Sequence, residues 1–350
     1  MMRKTQKIYA ILLSALMVVV VAGLVIAGVA YFIVFAPNVH LDDRESIHLC
    51  ISSGSRYAEV LELLERENIV KNVVSFDRLA QRKNYPNRIM PGRYLIYNKM
   101  SNNELINLLR SGEQDPVRLT FNNIRTEEEL AASISRQLEL DSLTIIQHIR
   151  NPDVICNTGI RTPNIKLLFI PNTYEVYWNI DAPQLVSRMQ REFNAFWNVS
   201  RRERADKIGL SPEEVGILAS IVQGETNKVD EMPRIAGVFI NRLSRNMPLQ
   251  ACPTVIYAIG DFSITRVLND QLKTQSPYNT YLHTGLPPGP INLPEPVAIE
   301  AVLNYETHNY LFFSASPDLN GYHVFARTYR EHQINARMYQ QKLNEMLIFR

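Results

Sequence analysis

A long apolar stretch near the start of the chain stands out in the hydrophobic pattern. Residues 8–37 carry no charged side chain, and Ser14 is the one strongly polar residue among them. Because about 20 consecutive apolar residues can cross a bilayer as a helix, the pattern predicts a membrane-spanning anchor within residues 1–40. The alternative is a cleaved signal peptide, whose apolar core is normally only ~7–15 residues long.

The charges on the two sides of this stretch differ. Arg3, Lys4 and Lys7 precede it, whereas the first acidic residue after it is Asp42. Basic residues are retained on the cytoplasmic side of a membrane helix. We therefore expect a cytoplasmic N-terminus, a single pass through the membrane, and the rest of the chain outside.

The pattern after the anchor predicts a small α+β module over residues 41–116, joined by a linker at 38–45. Ser101 and Glu104 have the spacing of a capping box, which opens a helix. Gly112 is placed to end that helix. The other predicted elements of the module are strands at 47–51 and 93–97 and helices at 57–67 and 73–82.

Residues 117–350 are predicted to form a second and larger domain. Its predicted strands lie at 117–121 and 167–170, and its predicted helices include 126–138, 143–150, 183–197 and 211–225. Helices and strands do not alternate regularly here, as they would in a doubly wound parallel sheet. The predicted fold class is therefore α+β.

The helix that begins after Ser211 carries the main candidate for chemistry. Ser211 and Glu214 form a second capping box, and apolar residues recur through 215–222 at helical spacing. Glu225 continues the apolar face, where burial would raise the pKa of its carboxyl and suit it to be a general acid. Gly224 beside it permits a close approach of backbone or ligand. The alternative is a glutamate that leaves the core at the helix end.

Composition excludes several classes of function. Of 37 basic residues, three precede the apolar stretch, which leaves 34 against 35 acidic ones, so the exported part has no basic excess for nucleic acid. Cys50, Cys156 and Cys252 are odd in number and allow at most one internal bridge. The histidines show no zinc spacing. We expect no metal and no cofactor.

Several motifs in the second half of the chain resemble, in order and spacing, those of the endolytic murein transglycosylase (YceG-like) family. The likeness is densest between about residue 165 and residue 335, and the N-terminal layout is also similar. The motifs are Ala219-Ser220-Ile221-Val222, Glu225-Thr226, Val238-Phe239-Ile240-Asn241-Arg242-Leu243, Leu249-Gln250, Pro253-Thr254-Val255-Ile256-Tyr257, Tyr278-Asn279-Thr280-Tyr281, Gly285-Leu286-Pro287-Pro288-Gly289-Pro290-Ile291, His323-Val324-Phe325 and Glu331-His332.

The resemblance implies that Glu225 is the catalytic acid. Two positions depart from the family pattern: Gln223 stands where a second glutamate is common, and Asn172 stands where an aspartate is usual. These departures indicate that neither of the two carboxylates is essential. Sugar sites need amide, hydroxyl and aromatic groups, so we expect substrate contacts at Gln250, Thr254, Tyr278, Asn279 and Tyr281. The alternative for each of these five is an ordinary turn or core residue.

The family's chemistry needs only one carboxylate, unlike ordinary glycoside hydrolysis, which uses two. Glu225 would protonate the oxygen between N-acetylmuramic acid and N-acetylglucosamine, and then take the proton of the muramic 6-hydroxyl as it attacks its own anomeric carbon. The product is a 1,6-anhydro end on a peptidoglycan strand. The resemblance also implies an inner-membrane location, strand termination during synthesis, partnership with wall synthases, and a LysM-like role for residues 41–116.

Two further readings of the sequence remain open. One is a muramidase that uses water and leaves reducing ends. The other is a catalytically inactive scaffold that binds glycan or wall synthases, which Gln223 keeps possible and the Glu225-Thr226 pair argues against. For the LysM-like module, glycan binding and a simple spacer role are both open.

Overall fold

The computed structural model describes residues 2–160 and 163–346, so the extreme ends of the predicted ranges 1–40 and 117–350 lie outside it. The described chain divides into two compact units. The first contains the residues up to Val117 together with Glu175–Asn179, and the second contains Arg118–Tyr174 and the residues from Ile180 onward. The short return of the chain to the first unit is not visible in the sequence pattern.

The first helix, α1 (Met2–Phe35), contains the apolar stretch. Its segment Leu12–Phe35 has a mean hydropathy of 2.8, and none of it is buried inside the protein. Twenty-four residues of helix are about 36 Å long, enough for the hydrocarbon core of a bilayer. By length and composition, this helix fits the predicted anchor.

The first unit is a two-stranded sheet with helices packed against it. After α1 come β1 (Ser46–Ile51), α2 (Tyr57–Arg66), α3 (Val73–Arg82), β2 (Gly92–Tyr97) and α4 (Asn102–Ser111). The strands β1 and β2 are antiparallel, with Ser46 opposite Tyr97 and Ile51 opposite Gly92. The capping box of Ser101 and Glu104 is present, and Gly112 ends α4 at a φ of 73°. These elements match the sequence pattern closely.

The first residues of the predicted linker at 38–45 pack into the core, whereas residues 42–45 are exposed. Val39 and Leu41 are almost completely buried. The backbone N–H groups of Asn38 and Val39 both donate to the carbonyl of Met100. Alternation in so short a segment is too weak to reveal this pairing, so the sequence analysis missed the buried start of the linker.

A buried amide network joins α1 to this unit. The Asn38 Nδ2 donates to Asn102 Oδ1 at 2.7 Å. The Asn102 Nδ2 donates to the carbonyl of Ile33 at 2.9 Å and to the Ser75 hydroxyl at 3.1 Å. Because Ile33 lies in the last turn of α1, its carbonyl has no partner in the helix and Asn102 supplies one.

From Val117 onward helices predominate and strands are short. In chain order the elements are β3 (Val117–Thr120), α5 (Glu127–Ser135), α6 (Ser142–Ile149), α7 (Pro152–Thr158), β4 (Thr173–Val176), α8 (Ala182–Phe196), α9 (Val199–Ile208), α10 (Pro212–Glu225), α11 (Met232–Leu243), α12 (Cys252–Ile259), α13 (Pro296–Leu303), β5 (Phe312–Ala315), β6 (His323–Ala326) and α14 (Tyr329–Glu345). Strand β3 pairs with β4, and β5 with β6. The α+β class is confirmed.

One predicted element has the wrong type. Residues 167–170 were expected to form a strand, but Ile165–Leu168 form a 3₁₀ turn. All four residues of this turn are buried. The apolar run at 167–170 therefore reflects burial of these side chains and not pairing of a strand. Short apolar runs leave the two cases indistinguishable by periodicity.

Helix α10 is the centre of the second unit. Its N-terminus has the predicted capping box of Ser211 and Glu214. All eight residues from Val215 to Val222 are buried, because α9, α11, α12 and α13 surround the helix. A helix that is apolar on every side is a core helix, and not the one-sided stripe that the sequence suggested.

We expect Asn102→Ala to weaken the first unit. The change removes the acceptor of the Asn38 amide and the donor to Ile33, and each unsatisfied buried group costs about 1–3 kcal/mol. Hydrogen exchange of the β1 and β2 amides should accelerate at least about fivefold in the full chain in detergent. Asn107→Ala on the exposed face of α4 is the matched control. Equal protection in the two variants would contradict the role of the network.

Candidate active site

The end of α10 lies unusually close to the start of α12. A Cβ added at Gly224 would be 2.8 Å from the Cβ of Pro253 and 3.4 Å from Ile291 Cδ1. Any side chain at position 224 would therefore force the two helices apart. The sequence predicted a close approach at Gly224, and the approaching group is the ring of Pro253.

This contact places the Glu225 carboxyl at the N-terminus of α12. The backbone N–H of Cys252 hydrogen-bonds to the carboxylate, and Arg242 adds a favourable charge. Both effects lower the pKa of Glu225, but desolvation by the surrounding protein is larger and raises the pKa to about 8. At neutral pH the group therefore carries a proton that it can donate. The side chain remains partly accessible, as a proton donor must be.

Arg242 is a buried cation that donates hydrogen bonds to backbone carbonyls in two other segments of the chain. Its Nε donates to the Leu311 carbonyl at 2.6 Å, and its Nη1 donates to the Leu249 carbonyl at 2.8 Å. The guanidinium also lies 5.0 Å from the centre of the Phe312 ring. Arg242 comes four residues after Val238, on the buried face of α11. An arginine at a position where the helical pattern expects an apolar residue is the sequence feature that could have identified Arg242 as a site residue.

Gln250 is oriented by the same arginine. The Arg242 Nη1 donates to Gln250 Oε1 at 3.2 Å, which leaves the amide nitrogen of this exposed side chain available for a ligand. The backbone of Gln250 has a φ of 51°, in the left-handed region that costs energy for a residue with a side chain. Strain of this kind is concentrated at functional sites.

Tyr281 and Cys252 form a pair beside Glu225. The Cys252 sulfur lies 3.2 Å from the Tyr281 hydroxyl. Desolvation raises the pKa of both groups, so both stay neutral. The thiol is thus a poor nucleophile, and Tyr281 is a hydrogen-bonding group close to the proton donor.

Two of the five predicted substrate contacts are fully buried. The Thr254 hydroxyl donates to the Ala251 carbonyl at 2.7 Å and lies 2.8 Å from the Thr280 hydroxyl. The Asn279 amide donates to the carbonyls of Leu272 and Thr274. Neither side chain has surface for a ligand: Thr254 holds the loop of residues 278–281 against α12, and Asn279 holds it against residues 272–274.

Tyr278 lies in a different part of the unit from Tyr281. Its ring is 4.8 Å from that of Tyr257, which lines a cavity next to Glu225. The structure therefore connects Gln250 to Glu225 through Arg242, and Tyr281 through Cys252, whereas Tyr278 packs against Tyr257.

Two cavities meet at the end of α10. One, of about 550 Å³, is lined by Arg125, Tyr257 and Phe262 among others. The second, of about 540 Å³, is lined by Glu225, Thr226 and the loop from Ala315 to His323. Gly224 and Asn227 line both cavities. The acid therefore lies along a cleft that extends in two directions.

A buried carboxylate in this cleft region was missed by the sequence analysis. Glu231, which immediately precedes α11, is 3% exposed. Its Oε2 lies 2.7 Å from His323 Nδ1, and its Oε1 accepts from the His323 backbone N–H at 2.8 Å. The Thr226 hydroxyl donates to it at 3.4 Å. Glu231 and His323 are too distant in the chain for any local sequence pattern to suggest that they pair.

Of the two departures from the family pattern, Gln223 has a local explanation. The Gln223 Oε1 accepts from the Glu295 N–H at 2.7 Å, and its Nε2 donates to the Leu293 carbonyl at 3.4 Å. A carboxylate could not make the second bond. Asn172 is exposed, and its side chain accepts from the N–H of Thr173.

Among residues 2–160 and 163–346 no group of three or more metal-ligating side chains comes together. None of Cys50, Cys156 and Cys252 forms a disulfide. Glu225, its neighbouring cation Arg242 and the Glu231–His323 pair are among the charged or titratable groups described above.

We expect Glu225→Gln to change how stability depends on pH. The folded pKa of about 8 lies above the ordinary value of 4.5, so the folded protein holds a proton that the unfolded chain releases between these pH values. Wild-type stability therefore falls across this window, and glutamine removes the effect. The free energy of unfolding of the variant, minus that of the wild type, should rise by at least about 1 kcal/mol between about pH 4 and about pH 9. A difference that does not vary with pH would contradict the raised pKa.

Comparisons with known proteins identify similar sequences. The YceG-like family matches residues 49–338. A protein of Bacillus subtilis (strain 168) named endolytic murein transglycosylase is 29% identical over 324 residues, which cover 88% of each chain. One of the same name from Streptococcus pneumoniae (strain D39) is 26% identical over 330 residues, which cover 84% of this chain and 58% of the relative.

A solved structure is also similar. The crystal structure of a YceG-like protein from Listeria monocytogenes aligns with a TM-score of 0.56 and 25% identity, over 83% of this chain and 98% of that one. The family match spans most of the chain and includes Glu225, Glu231 and His323. The chain belongs to the YceG-like family.

Proposed function

We propose that this chain is a membrane-anchored endolytic transglycosylase of peptidoglycan, with Glu225 as its catalytic acid. The observation that carries the proposal is the carboxyl with a pKa of about 8, set in a cleft that continues on both sides of it. An enzyme that cuts within a strand must hold sugars on both sides of the bond. The names of the two relatives support the same activity.

The proposed reaction begins with proton donation. Glu225 protonates the oxygen that links N-acetylmuramic acid to N-acetylglucosamine, a step typically worth about 10²–10⁴ in rate. The muramic 6-hydroxyl then attacks the anomeric carbon of its own ring and closes a 1,6-anhydro product. Attack within one sugar gains from proximity. The proton of the hydroxyl restores Glu225, so no water is consumed.

The positive charge of Arg242 stabilises one of the two protonation states that Glu225 passes through in this reaction. Arg242 favours the carboxylate, which Glu225 becomes once it has given up its proton. The Cys252 N–H acts in the same direction. The site therefore tolerates both protonation states of Glu225, as a group that donates and later regains a proton requires.

The proposal includes the setting of the enzyme. Helix α1 anchors it in the inner (cytoplasmic) membrane, with Arg3, Lys4 and Lys7 on the cytoplasmic side and the cleft outside. There it would end growing strands beside wall synthases. Glycan binding by the LysM-like first unit is part of the same proposal, supported by the resemblance alone.

The direct test is mass spectrometry of peptidoglycan strands digested by the full chain in detergent and by its Glu225→Gln variant. We expect internal 1,6-anhydro ends from the wild type and a loss of at least about 10²-fold in the variant. Glu213→Gln, in the first turn of the same helix, is the control and should retain activity. Reducing ends from the wild type would favour a muramidase, and binding without cleavage would favour a scaffold.

Substitutions of Gln250 and Thr254 should distinguish a residue that binds the substrate from one that stabilises the fold. Gln250→Ala removes an exposed amide, so KM for soluble glycan strands should rise about 5- to 10-fold, the effect of one hydrogen bond. Thr254→Val removes a buried hydroxyl, so it should lower the free energy of unfolding by about 1 kcal/mol with KM unchanged. Steady-state kinetics and denaturant unfolding measure the two effects, and the reverse pattern would contradict the assignment.

A further inference from the structure

The Glu231–His323 pair has a geometry that goes beyond filling the core. His323 is the first residue of β6, and both its backbone N–H and its ring Nδ1 bind the carboxylate of Glu231. Two attachments to one buried group fix the ring in position. The edge of the His323 ring also meets Phe313, with the ring centres 5.2 Å apart. The imidazole is therefore held in a single orientation.

The carboxylate also fixes the proton of the ring. A neutral histidine whose Nδ1 faces a carboxylate carries its hydrogen on Nδ1, so Nε2 has a free lone pair. Within the part of the chain that the structure describes, no hydrogen bond occupies His323 Nε2. The side chain keeps 15% of its surface exposed, and His323 lines the cleft. This nitrogen is available to a ligand.

The position of the pair connects it to the proposed acid. His323, Glu225 and Thr226 line the same cavity of about 540 Å³. Thr226 follows Glu225 directly, and its hydroxyl donates to Glu231. A sugar bound in this cavity would touch both the carboxyl and the imidazole, and the Glu225-Thr226 motif would serve both groups.

We infer that His323 accepts the proton of the attacking hydroxyl and that Glu231 is its positioning residue; this inference rests on the proposed function. The C1–O6 bond forms as the C1–O bond to the leaving sugar breaks. Glu225 gives its proton to the leaving oxygen, and the 6-hydroxyl gives its proton to His323 Nε2. His323 then returns that proton to Glu225, which restores both groups.

The role of Glu231 follows from charge. While His323 holds the second proton it is an imidazolium, and the buried carboxylate bonded to its Nδ1 stabilises that cation. The arrangement is that of a histidine base supported by a carboxylate. Since the base acts on a hydroxyl of the substrate itself, it also directs that hydroxyl, and not water, to the anomeric carbon.

The test is the His323→Gln variant of the full chain, assayed on peptidoglycan strands in ¹⁸O-labelled water. We expect kcat to fall about 10²-fold or more. Among the remaining products, the share of ¹⁸O-labelled reducing ends should rise at the expense of 1,6-anhydro ends. A purely structural histidine would not change this ratio. A rise in KM with kcat and product ratio unchanged would overturn the inference.

Two control variants distinguish loss of the proposed role from general misfolding. His148→Gln alters a half-buried histidine of α6 that is not among the residues lining either cavity, so rate and product ratio should stay at wild-type values. Glu231→Gln should shift the products in the same direction as His323→Gln, whereas Asp230→Asn, at the adjacent exposed carboxylate, should not. If Glu231→Gln left the products unchanged in a folded protein, its positioning role would be excluded.

The outcomes distinguish this inference from the proposed function. If the wild type makes 1,6-anhydro ends and Glu225→Gln does not, the proposed function stands, and the His323 result decides the inference alone. If the wild type cleaves nothing, the proposed function and the inference that rests on it both fail.

Discussion

The close contact between the end of α10 and the start of α12 is the constraint on which the site depends. Gly224 allows the ring of Pro253 to approach to a distance that a side chain would forbid. This approach brings the Cys252 N–H to Glu225 and encloses the carboxyl in protein. Because α10 is buried along most of its length, the whole core of the second unit holds that geometry in place.

Two opposing electrostatic effects act on Glu225, and their balance gives the site its chemistry. Desolvation disfavours the carboxylate, whereas the Cys252 N–H and the charge of Arg242 favour it. Desolvation is the larger effect, so the acid is protonated at rest. The smaller effects still matter, because they make the deprotonated form accessible after the proton has been donated.

Local patterns predicted much of the fold. Both capping boxes, the helix from Val73 to Arg82 and the strands of the first unit are set by neighbouring residues, and the structure has them. The errors share a cause: residues 38–45 and the turn at 165–168 are shaped by distant partners. The site divides in the same way. Glu225 lies at the end of an apolar helix that the sequence shows, whereas the pairing of Glu231 with His323 joins residues about ninety positions apart, which no local pattern shows.

The central claim is that the carboxyl of Glu225 is protonated at neutral pH, and it is tested most directly by titrating that group. Infrared difference spectra between wild type and Glu225→Gln, recorded on the full chain in detergent across a range of pH, isolate the carboxyl band of this residue. A protonated band that disappears with a midpoint near pH 8 is the predicted result. A carboxylate band already complete at about pH 6, as expected for an unperturbed glutamate, would contradict the account.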